Sequence, residues 1–216
     1  MPVGTRATVK GLTPAQIEST GSEIILNNAY HLMLRPSDEL IAKLGGVHKF
    51  MQWDKPILTD SGGYQAWSMA DINKVNDDGV SFKSIIDGST IEMTPERSIE
   101  VQNNLGADII MAFDDCPSSV APQSQNLARR RHAQVARDGE MTEAQHEVRL
   151  KQSLDRTTQW LERCVTAHQR PEDQALFGIV QGGTNFDLRA HSAEQICNID
   201  LPGYAIGGVA VGESPD

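Results

Sequence analysis

Hydrophobic and polar positions along this chain switch between two periods. Short apolar runs fall at 1–3, 23–26, 56–58, 107–113, 175–180 and 204–209. Runs of this length bounded by turn residues predict strands. Ile109-Ile110-Met111-Ala112-Phe113 is apolar at every position, as expected of a strand buried on both faces of a parallel sheet. Helical patterns separate the runs. Thr13-Pro14-Ala15-Gln16-Ile17 reads as an N-cap with proline at the first helical position. The segment 37–44 closes at Gly45-Gly46, a C-cap signal. Thr94-Pro95-Glu96-Arg97 opens a helix with Ile99, Val101 and Leu105 as its apolar positions and Gly106 as its stop. A long polar helix is predicted within 124–168, with a break signal at Asp138-Gly139, and another helix over 185–196. One segment departs from the alternation: 80–84 and 90–93 flank Asp87-Gly88, a type I′ turn signal that predicts an inserted β-hairpin.

Repeated βα units fold either as a doubly wound sheet or as a (β/α)8 barrel, and both gather ligand groups at the carboxyl ends of their strands. Pocket-type residues follow four separate strand ends here, which favours the TIM barrel over a single switch point. A barrel needs eight such units in about 250 residues, whereas six strands are predicted in 216 residues. The expectation is therefore an α/β fold in which residues 1–216 form a partial TIM-barrel domain of about six βα units. The C-terminal barrel strands are expected to be absent.

The richest stretch for chemistry is Leu58-Thr59-Asp60-Ser61-Gly62-Gly63-Tyr64, where a strand ends in a carboxylate, a hydroxyl, two glycines and a ring. Gly62 and Gly63 allow positive φ and close approach to a ligand. Tyr64 offers a stacking face, and Asp60 an acceptor or base. Asp114 and Asp115 end the strand at 107–113, and paired acids in a cleft often mark a site. The plainer reading is that one caps the next element while the other is solvated. A carboxylate suits a ligand edge with two N–H donors, such as that of guanine. Gln181, before Gly182-Gly183, can donate to a carbonyl, and Gly207-Gly208 can present backbone N–H groups to the same mouth. Glu213 is either a supporting acid or an ordinary loop acid. His31, after Asn27-Asn28-Ala29-Tyr30, reads as a structural histidine before a catalyst. The three tryptophans and Met33, Met51 and Met69 read as packing residues. The sequence contains no G-x-x-x-x-G-K-[ST] loop, G-x-G-x-x-G turn or G-x-S-x-G elbow, so those motifs support no NTPase, dinucleotide or hydrolase chemistry.

Charge adds a constraint. A net charge of −10 argues against non-specific nucleic-acid binding, which needs clustered Lys and Arg. Arg129-Arg130-Arg131-His132 is a local basic run that reads as a solvated helix face, and Arg6 and Lys10 follow the first strand. The three cysteines, Cys116, Cys164 and Cys197, are scattered without a C-x-x-C pair. That pattern points to free thiols in a reducing compartment and supplies no zinc site. With no signal peptide and no apolar run near the roughly 20 residues that span a bilayer, the chain reads as cytoplasmic, with no membrane partner.

The motifs taken in order resemble one family: M-P-V-G-T at 1–5, Y-H-L-M-L-R-P at 30–36, D-S-G-G-Y at 60–64, F-K-S at 82–84, T-P-E-R-S at 94–98, M-A-F-D-D-C at 111–116, F-G-I-V-Q-G at 177–182 and Y-A-I-G-G-V-A-V-G-E at 204–213. The chain is similar over nearly its whole length to the tRNA-guanine transglycosylases of queuosine biosynthesis. The resemblance implies a TIM-barrel pentosyltransferase with a small zinc-binding insertion and a tendency to form a homodimer. Its substrate is tRNA, with the wobble guanosine flipped out. Guanine is exchanged for a deazaguanine through a covalent glycosyl-enzyme intermediate. By the same resemblance, Tyr64 stacks on the base and Asp114 reads its amine and ring N–H edge. Gln181 and the Gly208 backbone donate to its carbonyl. Asp60 positions the base and is the candidate catalytic proton relay, with Ser61 beside it. Glu213 supports the peptide that contacts the incoming base. Cys116 and Val211 match the bacterial pattern, whose substrate is 7-aminomethyl-7-deazaguanine. The family's nucleophilic aspartate, in a D-C-V-x-P-T-R-like segment, and its zinc ligands, a C-x-C-x-x-C run plus a histidine, do not occur in this sequence. Neither does the more basic tRNA-binding face, so this chain alone is expected to be inactive. The segment 129–152 is longer and more polar than the resemblance implies. Two alternatives stand beside this reading: a non-catalytic paralogue that binds tRNA or a partner, and an unrelated barrel enzyme acting on a phosphorylated metabolite.

Overall fold

A computed structural model describes residues 1–68, 73–121, 141–209 and 211. Six strands form one wholly parallel sheet: β1 (Val3–Gly4), β2 (Ile25–Asn27), β3 (Ile57–Thr59), and, after an insertion, β7 (Ile109–Met111), β8 (Ala175–Val180) and β9 (Gly203–Ile206), adjacent in that order. The insertion is a second sheet of β4 (Asn73–Val75), β5 (Val80–Lys83) and β6 (Thr90–Met93), antiparallel throughout. Helices α1 (Pro14–Ser19), α2 (Ala29–Leu34), α3 (Asp38–Lys43), α4 (Val47–Met51), α5 (Gly63–Ser68), α6 (Pro95–Leu105), α7 (Glu143–Ala167) and α8 (Phe186–Cys197) connect the strands.

Local chemistry sets the helix boundaries. Thr13 accepts from the Gln16 N–H while the Gln16 side chain reaches back to Thr13, a complete capping box. Thr142 and Gln145 repeat it at the start of α7. Gly106 ends α6 at φ 74°, a conformation other residues reach only with strain. Each of the six expected parallel strands is present, five within two residues of their predicted bounds, while the last, expected over 204–209, ends three residues early at Ile206.

The two faces of the parallel sheet differ. In-register neighbours share a face, and Asn27, Thr59, Ile110 and Leu176, paired in a row, are all buried under helices. On the other face Leu26, Leu58, Ile109, Met111 and Phe177 are apolar yet only half-buried. The edges are open as well: Val3 of β1 is 54% exposed and Ile206 of β9 is 78% exposed. Among the described residues β1 and β9 pair with no further strand. The fold is thus mixed α/β with a parallel six-stranded sheet, and no closed barrel is found. The expected parallel strands are present; closure, which requires the edge strands to be paired, was not expected of so few strands and is not found among the described residues.

Two corrections concern the insertion. The β5–β6 connection is not a two-residue type I′ turn. Ser84 N donates to Ser89 O, Gly88 N donates to Ser84 O, and the Ser84 hydroxyl accepts from the Ile86 and Asp87 N–H groups. Four residues therefore lie within the loop. Strand β4, short and polar, carries too little apolar signal to be read from sequence. Of the long polar helix, Glu143–Ala167 is observed, while the basic run 129–132, the break signal at 138–139 and Met69 lie outside the described residues. Trp53, Trp160 and Met51 are buried, and Met33 packs against the same core. No helix among the described residues is long and apolar enough to cross a membrane.

Candidate active site

The polar groups singled out by the sequence gather at the carboxyl ends of β3, β7, β8 and β9. Asp60 follows β3 directly. Its Oδ1 accepts from the backbone N–H of Ala29 at 2.9 Å and of Gly62 at 3.2 Å. Its Oδ2 accepts from Asn28 Nδ2 at 2.5 Å and from Gln65 Nε2 at 3.0 Å. Those donors favour the ionised form. Desolvation outweighs them, with Asp114 adding repulsion, and the carboxyl is pushed up to about 7. Asp60 is therefore poised to hold or release a proton near neutrality.

The loop after Asp60 is pinned from below. Ser98 of α6 donates its hydroxyl to the Ser61 carbonyl at 2.7 Å, and Ser61 Oγ accepts from the Gly63 N–H at 3.2 Å. Gly62 sits at φ 76°, where a Cβ would lie 3.2 Å from both the Tyr30 nitrogen and the Met93 side chain. The turn therefore requires glycine on conformational and steric grounds alike. A Cβ on Gly63 would meet Phe113 at 3.3 Å and the Asp114 carbonyl at 3.4 Å, so the loop runs directly against the tip of β7. Tyr64 occupies the first turn of α5 and is 43% exposed, leaving its ring open beside the loop.

Asp114 is 8% exposed. Its Oδ2 accepts from Gln181 Nε2 at 2.5 Å, joining the ends of β7 and β8. Burial pushes its carboxyl up to about 7, helped by Asp115 and opposed by the Gln181 amide and the Ser61 hydroxyl. Gln181 is anchored in turn, its backbone N–H donating to Ser192 Oγ of α8 at 3.0 Å. Gly208, at φ 67°, closes on this amide, and a Cβ there would stand 2.4 Å from Gln181 Oε1. Cys116 is buried, and its thiol is pushed up to about 12 by desolvation, with Gln181 and the Gly208 N–H among its neighbours. It is a neutral thiol beside Gln181 and Gly208. The Val211 carbonyl accepts from Ser118 Oγ at 3.1 Å and Ser119 N at 3.3 Å, tying the segment after β9 to the one after β7. Glu213 lies outside the described residues.

Asp60, Ser61, Gly62, Gly63, Tyr64, Asp114, Cys116, Gln181, Gly208 and Val211 thus belong to one neighbourhood. The paired acids divide their tasks in a way the sequence reading did not anticipate. Asp115 neither caps a helix nor faces solvent: it is fully buried. It accepts from Arg149 at 2.7 and 2.9 Å and from Arg156 at 2.6 Å, both on α7. The sequence reading also passed over Asn28 and Gln65, the side chains that hold Asp60. Both adjoin residues already under attention, Asn28 three before His31 and Gln65 directly after Tyr64. His31 is half-buried, its Nδ1 has no hydrogen-bond partner, and burial and Arg6 lower its pKa. The described cysteines carry no disulfide, Cys116 and Cys164 being buried and Cys197 exposed.

Fold and site together define an α/β protein with a polar, two-carboxylate site at the carboxyl ends of a parallel sheet. The family model described as queuine tRNA-ribosyltransferase matches residues 1–137 and 133–216, and the chain belongs to that family. A queuine tRNA-ribosyltransferase of Synechococcus elongatus is 51% identical over 213 residues, covering 99% of this chain and 49% of the relative. One from Nostoc sp. is 50% identical over 216 residues, and one from Streptococcus suis 49% identical over 216. The chain spans about half the length of the curated relatives it matches. Family membership sets aside the alternative of an unrelated barrel enzyme acting on a phosphorylated metabolite.

Proposed function

We propose that this chain carries most of the base pocket of a tRNA-guanine transglycosylase, an enzyme that exchanges the wobble guanine of certain tRNAs for 7-aminomethyl-7-deazaguanine. The observation that carries the reading is the hydrogen-bonded junction of Asp114 and Gln181 beside Gly208, against the Asp60–Tyr64 loop. Asp114 accepts from the base's ring N–H and amine, Gln181 and the Gly208 N–H donate to its carbonyl, and Tyr64 covers its face. Cys116 and Val211, which match the bacterial pattern, would border a small aminomethyl group.

In the proposed reaction an aspartate carboxylate attacks the ribose C1′, the glycosidic C–N bond breaks, and guanine leaves with the bonding electrons and takes up a proton. The incoming base then forms the new C–N bond, releases the carboxylate and loses a proton. Asp60, poised near neutrality, is the group in this chain suited to pass that proton. The attacking aspartate is not assigned to any residue here, because the segment the resemblance implies does not occur in this sequence. Likewise, among the described residues no group of three or more His, Cys, Asp or Glu is arranged to hold a metal. The zinc implied by the resemblance therefore fits no site among the described residues. We propose that further strands cover the half-buried apolar face of the sheet and complete a barrel, that the zinc-binding part lies with them, and that the assembled enzyme is a cytoplasmic homodimer.

The non-catalytic alternative leaves Asp60, Asp114 and Gln181 without a ligand to justify a buried carboxyl at Asp114 beside a half-buried one at Asp60, and nothing in the site favours it. The test is incorporation of labelled guanine into tRNA. The intact protein carrying this chain exchanges guanine and an Asp114→Ala variant does not, while residues 1–216 alone give only background. Full exchange by the Asp114→Ala variant would refute the pocket assignment, and exchange by the isolated chain would refute the missing nucleophile.

A further inference from the structure

One face of α8 reaches back to the strand tips. Arg189 and Ser192 are three residues apart on that helix, so their side chains leave it on the same side. Ser192 Oγ accepts from the Gln181 N–H at 3.0 Å. Arg189 Nη1 donates to the Gly207 carbonyl at 3.0 Å and to the Gly183 carbonyl at 3.2 Å. The helix thus holds three backbone groups just beyond β8 and β9. Arg97, Arg149, Arg156, Arg163 and Arg170 are all committed to ion pairs. Arg189 has no carboxylate partner among the described residues, and its guanidinium is given to the two carbonyls. Its stem is fitted as well: a Cβ on Gly182 would lie 3.0 Å from Arg189 Cγ.

The Gly207 carbonyl matters because of the group on the other side of its peptide. Gly207 N donates to Val180 O at 2.9 Å, the last rung of β9 on β8. The chain then turns at Gly208, at φ 67°, through two successive glycines whose backbone has wide conformational freedom. In a planar trans peptide the carbonyl and the N–H that follows it point in opposite directions. Holding the Gly207 carbonyl against α8 therefore aims the Gly208 N–H away from the helix, toward the Cys116 thiol and the Gln181 amide. A cation on the carbonyl oxygen also polarises the peptide and strengthens that N–H as a donor. The Gly183 carbonyl ties the loop after β8 to the same nitrogen, so the two glycine pairs are held together.

We infer that Arg189 is a positioning residue for base recognition: by gripping the Gly183 and Gly207 carbonyls it presents the Gly208 N–H to the carbonyl of the bound base. This rests on the base-pocket reading above and adds to it the group that orients one of its donors.

The test compares binding of guanine and 6-thioguanine to the intact protein by calorimetry. Both ligands carry the ring N–H and amine that face Asp114, but sulfur is a weaker acceptor than the guanine oxygen. Arg189→Met keeps a long stem beside Gly182 without a donor, and Arg189→Lys keeps a charged donor. The wild-type protein prefers guanine. In Arg189→Met guanine binding weakens roughly tenfold and 6-thioguanine binding by less than about threefold, so the preference collapses, and Arg189→Lys restores part of it. Should Arg189→Met not fold, Arg189→Lys carries the comparison, with a smaller loss in the same direction. Equal weakening of both ligands overturns the inference, because the pocket would then be loosened as a whole. Guanine bound equally well by wild type and variants overturns this inference alone. Failure of the wild-type protein to bind guanine overturns it and the base-pocket reading together.

Discussion

Removing the Asp115 carboxylate should unfold the chain more readily and loosen the base pocket at once. Asp115 is fully buried, and the guanidiniums it neutralises are also withdrawn from water, with side-chain exposures of 14% for Arg149 and 17% for Arg156. Three hydrogen bonds of 2.6, 2.7 and 2.9 Å converge on its two oxygens. Taking away one member of such a buried set costs about 3–5 kcal/mol, because the opposite charges stay desolvated. Arg156 retains Asp77, which is 82% exposed and so offers a screened, weak substitute. The loss in Asp115→Ala therefore falls in the lower half of that range. A chain of 216 residues loses roughly 2–4 °C of Tm per kcal/mol, so thermal unfolding followed by circular dichroism should move down by about 6–15 °C. Asp114 is the preceding residue, so guanine affinity should fall with it, even at temperatures where Asp115→Ala is fully folded. A change under about 1 kcal/mol would show that the two arginines find other partners and that the charge cluster does not anchor the β7 tip.

Three further outcomes follow from the site. Guanine affinity measured by calorimetry should rise with pH through about 7, because Asp114 accepts N–H donors only when ionised and holds its proton up to about 7; a flat profile between about pH 5.5 and 8 would remove Asp114 from base reading. Gly208→Ala should weaken guanine binding by roughly tenfold or more, since the new Cβ would stand 2.4 Å from Gln181 Oε1 and must turn that amide away, and wild-type affinity would show that the amide is not used. Tyr64→Ala should cost about 1–3 kcal/mol of base affinity while Tyr64→Phe costs little, and equal losses would assign Tyr64 a hydroxyl role in place of stacking.

What was legible in the sequence divides along physical lines. Strand positions were readable because burial forces apolar runs, and helix starts were readable because Thr13 and Thr94 each satisfy helix N–H groups locally. Strand-tip residues such as Asp60 and Gln181 stood out because polarity is anomalous where an apolar run ends. The groups that hold those tips were not readable, because their partners are remote in sequence. Ser98 reaches Ser61, Gln102 reaches Thr59 at 3.0 Å and the Met111 N–H at 2.9 Å, and Arg149 reaches Asp115. On a helix of ordinary polar pattern these side chains look solvated. Open edges were legible only from the shortfall of strands against a full barrel, since a local pattern predicts a strand but not whether its second edge is paired.

The energetics of the two site carboxyls explain why such a pocket persists. Both hold protons to about pH 7 in the folded chain, against roughly 3.9 for an unfolded aspartate. Between those values the folded state binds more protons than the unfolded one, so stability falls as pH rises through that window. At neutral pH and above, the fold therefore carries an unfavourable pair of charges, one buried at Asp114 and one half-buried at Asp60, that helix capping and core packing must offset. A base edge presenting N–H groups to Asp114, with Asp60 nearby to share a proton, is the kind of ligand that relieves this cost. A phosphate in the same interior would add to it. The raised carboxyls at the strand tips thus favour a neutral, donor-rich ring inside the site.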